Sequence, residues 1–104
     1  MDNYRVNVTQ SAFEDLKSIA LYIKDNLKEP ITAEKQVLRI KEAILSLDQL
    51  PYRHSLVRDK LLASQGYRSI FVDNYTIFYI IAENEKTVSI SRIQYSRTNW
   101  VDIL

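Results

Sequence analysis

The sequence contains no cysteine, one histidine, one glycine and two prolines among its 104 residues. Without cysteine there is no disulfide scaffold, no thiol nucleophile and no cysteine-ligated zinc. A single histidine, His54, rules out a histidine-rich metal site and leaves a Ser-His-Asp triad only one candidate base. One glycine cannot build a glycine-rich phosphate loop. No apolar run approaches the roughly 20 residues of a membrane span, and no signal-peptide pattern opens the chain, so the expected address is the cytoplasm, with no membrane partner. Charge of one sign is scarce as well: 14 basic and 13 acidic residues give a net charge of +1. A nucleic-acid binder that relies on bulk charge would carry a large basic excess.

What remains is the composition of an ordinary globule, 46% apolar and 26% charged. The length allows one domain, residues 1–104, with room for a single core. The charge is unevenly spread. Between Pro51 and Val72 stand Arg53, Arg58, Lys60 and Arg68 against the single acid Asp59, so a local basic patch is expected.

Tyr4, Val6 and Val8 alternate with Arg5 and Asn7, the period of a half-buried strand. The period then lengthens. Ala12, Phe13, Leu16, Ile19, Ala20, Ile23 and Leu27 form the stripe of an amphipathic helix. Ser11 and Glu14 read as a capping box at its start, with Thr9 as the alternative cap. Pro30 breaks the pattern and Thr32 is placed to cap a second helix, whose stripe is Ala33, Val37, Ile40, Ala43, Ile44 and Leu47, with Pro51 ending it. Leu21, Leu38 and Leu45 lie off these stripes; two of the three are expected in the crevice between the helices, the alternative being an exposed patch for a partner.

The second half reads as strands. Residues 67–72 are β-branched and aromatic, Asp73-Asn74 suits a two-residue hairpin turn, and Tyr75 to Ile81 is apolar on both faces. A turn over Glu83 to Lys86 leads to a third strand from Val88 to Ile93; a short helix or strand is expected at 99–104. The order β-α-α-β-β-β implies an α+β sandwich, a helical hairpin packed on one face of a mainly antiparallel sheet.

Chemically the second half offers arginine and tyrosine rather than carboxylates. Arginine grips phosphate with a bidentate fork and tyrosine stacks on unpaired bases, a set that suits RNA without a metal. The same residues also make ordinary solvated surface. His54, in a loop, is either a proton donor near neutral pH or a solvent-facing side chain.

Residues 4–23 read Y-R-V-N-V-T-x-x-A-x-x-D-L-x-x-I-x-x-Y-I, residues 66–79 read G-Y-R-x-x-x-V-D-N-Y-x-I-F-Y, and residues 88–100 read V-S-I-S-R-I-Q-Y-S-R-T-N-W. In order and spacing these segments resemble the RelE/ParE toxins of bacterial type II toxin–antitoxin systems, over nearly the whole chain. The resemblance implies a cognate antitoxin as partner, no cofactor and no metal. It implies one of two targets. RelE-like members cut messenger RNA on the ribosome, the 2′-hydroxyl attacking the adjacent phosphate; ParE-like members poison DNA gyrase and carry no nuclease constellation. The first expectation is the ribosome-dependent endonuclease, the alternative the gyrase inhibitor, and a third is an inactive protein that only binds the antitoxin.

Carried over residue by residue, Arg68 matches the strand arginine that contacts the scissile phosphate, and Tyr95 falls near a C-terminal tyrosine or histidine position. Arg97 joins them as a catalytic candidate; Arg92, Arg58, Lys60 and His54 are candidate substrate-binding groups. Thr76 stands where many members carry a second arginine and Gln94 where one nuclease branch has a histidine, departures that weaken the nuclease match. Since no carboxylate in the helical stripes could neutralise it, Arg68 is expected at the open end of its strand or on the uncovered face. Leu21, with Lys17 and Lys24 on the same flank, is the expected antitoxin contact.

Overall fold

The computed structural model describes residues 3–98 and 103–104. Strand β1, Arg5–Val8, leads into helix α1, Gln10–Leu21, which passes into a π-helical turn, Tyr22–Asn26. Helix α2, Pro30–Leu45, returns antiparallel as the second arm of the hairpin. Then come two 3-10 turns, Ser46–Asp48 and Pro51–Arg53, a short helix α3, Lys60–Ser64, and strands β2, Arg68–Val72, β3, Tyr75–Ala82, and β4, Thr87–Tyr95. The sheet order is β1-β4-β3-β2. β2-β3-β4 form an antiparallel meander; β1 pairs with β4 in parallel, as a strand must when a helical crossover separates it from the sheet.

The element order agrees with the sequence pattern, and several local details differ. Thr9, not Ser11, caps α1: its hydroxyl oxygen accepts from the Ala12 N–H and itself donates to the Ile90 carbonyl, so one side chain starts the helix and fixes it to β4. α2 begins at Pro30, two residues before Thr32, because a proline at the first helical position needs no cap for an N–H it lacks. It ends at Leu45, well before Pro51. Phe13 and Leu27, counted in the first stripe, are exposed; the π-helical turn after Leu21 carries Leu27 off the 3.6-residue period. Helix α3 was not expected; Asp59 caps it by accepting from the Leu62 N–H. The element expected at 99–104 falls on residues 99–102, outside the described residues.

The main core lies between the helical hairpin and one face of the sheet. Ala12 and Leu16 of α1 and Ile40 and Ile44 of α2 meet Ile77 and Tyr79 of β3 and Val88, Ile90 and Ile93 of β4. Each such side chain contributes roughly 1.5–3 kcal/mol by leaving water. Val88 and Ile90 keep strand alternation, whereas Ile93 is out of phase. A bulge restores it: Phe78 pairs with Arg92 and Tyr79 with Ile90, leaving Ser91 as the extra residue. On the opposite face Phe78 is covered by Val57 and Leu62, with Leu104 packed alongside.

Two polar ties hold the layers in register. Asp15 of α1 accepts from Arg92 through both oxygens, at 2.7 and 2.8 Å, and from the Ile93 N–H at 2.9 Å. That N–H lies beyond Ile90, the last β4 residue paired with β1. Asp73, in the hairpin turn at φ +55°, accepts from Arg39 and Gln36 of α2, bonds that hold its carboxyl below the usual range.

A third tie joins the chain's two halves. Glu83 accepts from Tyr4 at 2.7 Å and from Tyr52 at 2.8 Å, and pairs with Lys86. Hydrogen bonds from Lys86, Tyr4 and Tyr52 pull its carboxyl down to about 2.

Asp15→Ala removes three bonds from a partly buried carboxylate and should cost about 2 kcal/mol. That corresponds to a melting temperature lower by roughly 10 °C. Asp15→Asn, which still accepts from Ile93, should lose less. A change of under about 2 °C in the alanine variant, well inside one kcal/mol, would remove this tie from the account of stability.

Glu83 predicts a pH dependence. A carboxyl with a depressed folded pKa stabilises the fold above its unfolded value and loses that contribution as pH falls towards the folded one. The window therefore runs from about 4.5 down to about 2. Because the group is exposed, salt should shrink the effect. Melting temperatures measured across this window should fall less steeply in Glu83→Gln; identical slopes would show that other carboxylates set the acid limb.

Candidate functional site

Arg68 opens β2 and pairs with Tyr79, so it lies on the face of the sheet that looks towards the helices. Of the two expected placements, the open end of the strand agrees with this position and the uncovered face does not. No carboxylate among the described residues pairs with it. Instead, its Nη1 donates to the His54 carbonyl at 2.6 Å and the Tyr52 carbonyl at 3.3 Å, and the guanidinium lies 5.0 Å from the centre of the Tyr52 ring. Backbone carbonyls and a π face satisfy a partly buried cation as a carboxylate would, but leave no mark in the sequence.

The loop that supplies these carbonyls is itself pinned. The Tyr79 hydroxyl, fully buried, donates to the Pro51 carbonyl at 2.7 Å, and desolvation pushes this phenol up to about 12. Arg53 donates to the Gln49, Leu50 and Ser46 carbonyls and to the Ser46 hydroxyl. His54 is partly covered; burial, and then the Arg53 charge, lower its pKa, so the imidazole is neutral at pH 7 and a poor proton donor there.

Tyr95 and Arg97 lie elsewhere. Tyr95 pairs with Tyr75, four β3 residues from Tyr79. Four residues span about 13 Å along a strand, and β2 and β4 flank β3 on opposite sides, which adds about 10 Å across. Arg97 is exposed just past the end of β4. The structure therefore does not bring Arg68 together with Tyr95 and Arg97. Arg92 is held by Asp15. Arg58 and Lys60 are exposed around the N-terminus of α3. Arg58 and His54 line a cleft of about 680 Å³ on the second sheet face, whose walls include Leu56, Phe71 and Phe78. Phe71 is 73% exposed, a large ring that the strand pattern alone did not single out.

A different groove, of about 500 Å³, runs between the end of α1 and the start of α2. Leu21 and Leu38 lie in it with Ala20 and Val37; Lys24, Lys41 and Glu34 stand around it. Leu21, Leu38 and Leu45 are 47%, 56% and 66% exposed, so none of the three fills the helix–helix crevice that was expected to take two of them. Ala20 and Ala33 line the same groove, Ala33 buried, while the leucines stay exposed. Lys17 is exposed on α1 and is not part of the groove wall.

Among the described residues no cluster of His, Asp or Glu is placed to hold a metal ion, and no helix is long and apolar enough to cross a membrane.

The architecture is shared with solved toxins. The chain superposes on a structure of the chromosomal ParDE toxin–antitoxin system of P. aeruginosa with a TM-score of 0.73 and 21% identity, covering 88% of this chain and 95% of that one. It superposes on the RelBE2 toxin–antitoxin complex of Mycobacterium tuberculosis at 0.65 with 24% identity, over 89% and 98% of the two chains. An arginine double mutant of the E. coli toxin RelE in its free state gives 0.68 at 10% identity, over 97% and 92%. Among curated protein sequences none matches. The family model for the ParE toxin of the type II toxin–antitoxin system parDE matches residues 6–100, which is nearly all of the chain, and with the fold and element order above it places this protein in the RelE/ParE family of type II toxins.

Proposed function

We propose that this toxin acts by binding a protein target, DNA gyrase, and not by cutting RNA. One observation supports the reading: Arg68, anchored through its Nη1 to the Tyr52 and His54 carbonyls, stands far from Tyr95 and Arg97. Metal-free RNA cleavage needs cationic donors and a proton carrier converging on one phosphate. Here Arg68 is apart from Tyr95 and Arg97, the cleft that Arg53 and Arg58 line holds a His54 whose pKa is lowered, and Thr76, bonded to Ser96, occupies the position of a second arginine. The match to a ParE model supports the same side. The ribosome and messenger RNA, the targets of the nuclease reading, are thereby the less favoured partners.

The cognate antitoxin is assigned to the groove beside Leu21 and Leu38. Exposed leucines supply apolar anchors, and Lys24 and Lys41 suit an amphipathic segment with acids at its rim.

Purified toxin should inhibit gyrase supercoiling, while primer extension on ribosome-bound messenger after induction should show no new 5′ ends. New ends with unimpaired supercoiling would reverse the assignment. Arg68→Ala, in the same assays, should lower stability by about 1.5–3 kcal/mol, the cost of losing hydrogen bonds to a charged group, and the folded fraction should still inhibit gyrase. An alanine variant that melts normally but loses toxicity would return Arg68 to a catalytic role.

Leu21→Glu should weaken the toxin–antitoxin complex at least tenfold with no change in melting temperature, because the side chain it replaces is already half exposed. Unchanged affinity by titration calorimetry would move the antitoxin to another face.

A further inference from the structure

On the far side of α1 from the leucine groove lies a trough of about 670 Å³ between the α1 end, the start of β3 and the last residues of β4. Three tyrosines line it: Tyr22 from the π-helical turn, Tyr75 from β3 and Tyr95 from β4. The rings of Tyr75 and Tyr95 stand 6.0 Å apart at 71°, so one presents its edge and the other its face. Tyr22 and Tyr95 are about half exposed, and Tyr75 is partly buried. Burial, then the neighbouring phenols Tyr22 and Tyr95, raise the Tyr75 pKa, so its ring stays neutral and electron-rich across the physiological range.

The charge on this trough is as informative as its rings. Among the described residues that line it there is no lysine or arginine, in contrast to the groove on the other side of the helix. Asp15 lines it, with its charge already met by Arg92. In an edge-to-face pair the ring that presents its edge keeps its own faces free, and with Arg92 engaged by Asp15 a tyrosine face in the trough can attract an ammonium or guanidinium group through the ring quadrupole. The trough runs beside residues 91–95 of β4, past Ile90 where the pairing with β1 stops, and is open on one side. That shape admits a side chain delivered on a polypeptide.

We infer that Tyr22, Tyr75 and Tyr95 form an aromatic cage for a basic side chain, lysine or arginine, of a protein partner. The site is independent of which target the toxin acts on, and it gives Tyr95 a binding role in place of a catalytic one.

The test is an NMR titration of the whole chain, followed through the tyrosine ring protons. The probes are N-acetyl-arginine methylamide, choline, and the neutral choline isostere 3,3-dimethylbutan-1-ol. Both cations should shift the resonances of Tyr22, Tyr75 and Tyr95 and saturate at millimolar concentrations, and the isostere should bind at least fivefold more weakly. Tyr95→Leu should lose the response, and Tyr95→Phe, which keeps the ring face, should retain it; a matching NMR fingerprint elsewhere confirms that both variants fold. Equal binding of the isostere, or shifts scattered outside the trough, would overturn the cage. Choline binding tenfold tighter than the arginine derivative would overturn the assignment to a protein side chain.

Discussion

The Tyr79 hydroxyl donates to the Pro51 carbonyl from a site with no measurable exposure, and the placement of the whole middle of the chain depends on that bond. A buried phenol without an acceptor is costly, on the order of 1–3 kcal/mol, so the loop must return to the same place whenever the sheet forms. Once Pro51 is fixed, the carbonyls of Tyr52 and His54 stand over the start of β2, and Arg68, the cross-strand neighbour of Tyr79, closes on them. The Tyr52 ring then lies beneath the guanidinium while its hydroxyl reaches Glu83 at the other end of β3. Tyr4 reaches the same carboxylate and brings in the start of β1. Segments that are 79 residues apart in sequence are thereby joined through one acid.

The helical hairpin is governed by a different constraint. α1 must lie across β4 where β1 ends, and Asp15 makes that possible by accepting the Ile93 N–H that no strand covers. Its position divides the surface around α1 in two. One side meets α2 across the groove that Ala20 and Ala33 line, with Leu21 and Leu38 exposed beside lysines. The other side meets the sheet end through tyrosines, with its acid neutralised and no lysine or arginine among the described residues of its wall. A single helix thus separates a surface suited to acidic, apolar segments from one suited to basic side chains. Two unlike partners could be held at once without sharing a contact.

Much of this was legible in the sequence because periodicity reports burial. The stripe of α2, the apolar run of β3 and the alternation of β4 identified the core, and Asp73-Asn74 located the hairpin turn, with Asp73 in the left-handed conformation it tolerates. What failed to show did so for physical reasons. Helix α3 has five residues, too few for a hydrophobic period to show. The π-helical turn has no compositional signature, so Leu27 was counted with the buried stripe. The leucines at 21, 38 and 45 lie off the stripes in either reading, and the period alone does not decide between crevice and surface. Most instructive is Arg68. A search for its partner among carboxylates finds none, which suggested an exposed cation. Its actual partners are main-chain carbonyls, and every residue has one.

That last point bears on how function is carried by this fold. A strand arginine at this position can hold a phosphate only where its N–H groups point at the site that the other donors reach; Arg68 spends Nη1 on its anchor. Here the connection from α2 to β2 passes directly over it, stitched down by Arg53 and Tyr79, and supplies two acceptors and a ring. The resemblance in sequence concerns the residue alone, and the carbonyls and ring around it lie outside that pattern. The neighbouring positions shift in the same direction: the hydroxyl of Thr76 is bonded to Ser96, and Gln94 faces it across the ladder. Neither carries a charge that could replace the missing cations. Transition-state stabilisation in a phosphoryl transfer is largest where several donors meet at the same oxygens. Binding imposes no such convergence. An exposed apolar surface with a charged rim can act wherever it lies on the sandwich, and the helical hairpin offers that surface on the side farthest from the sheet.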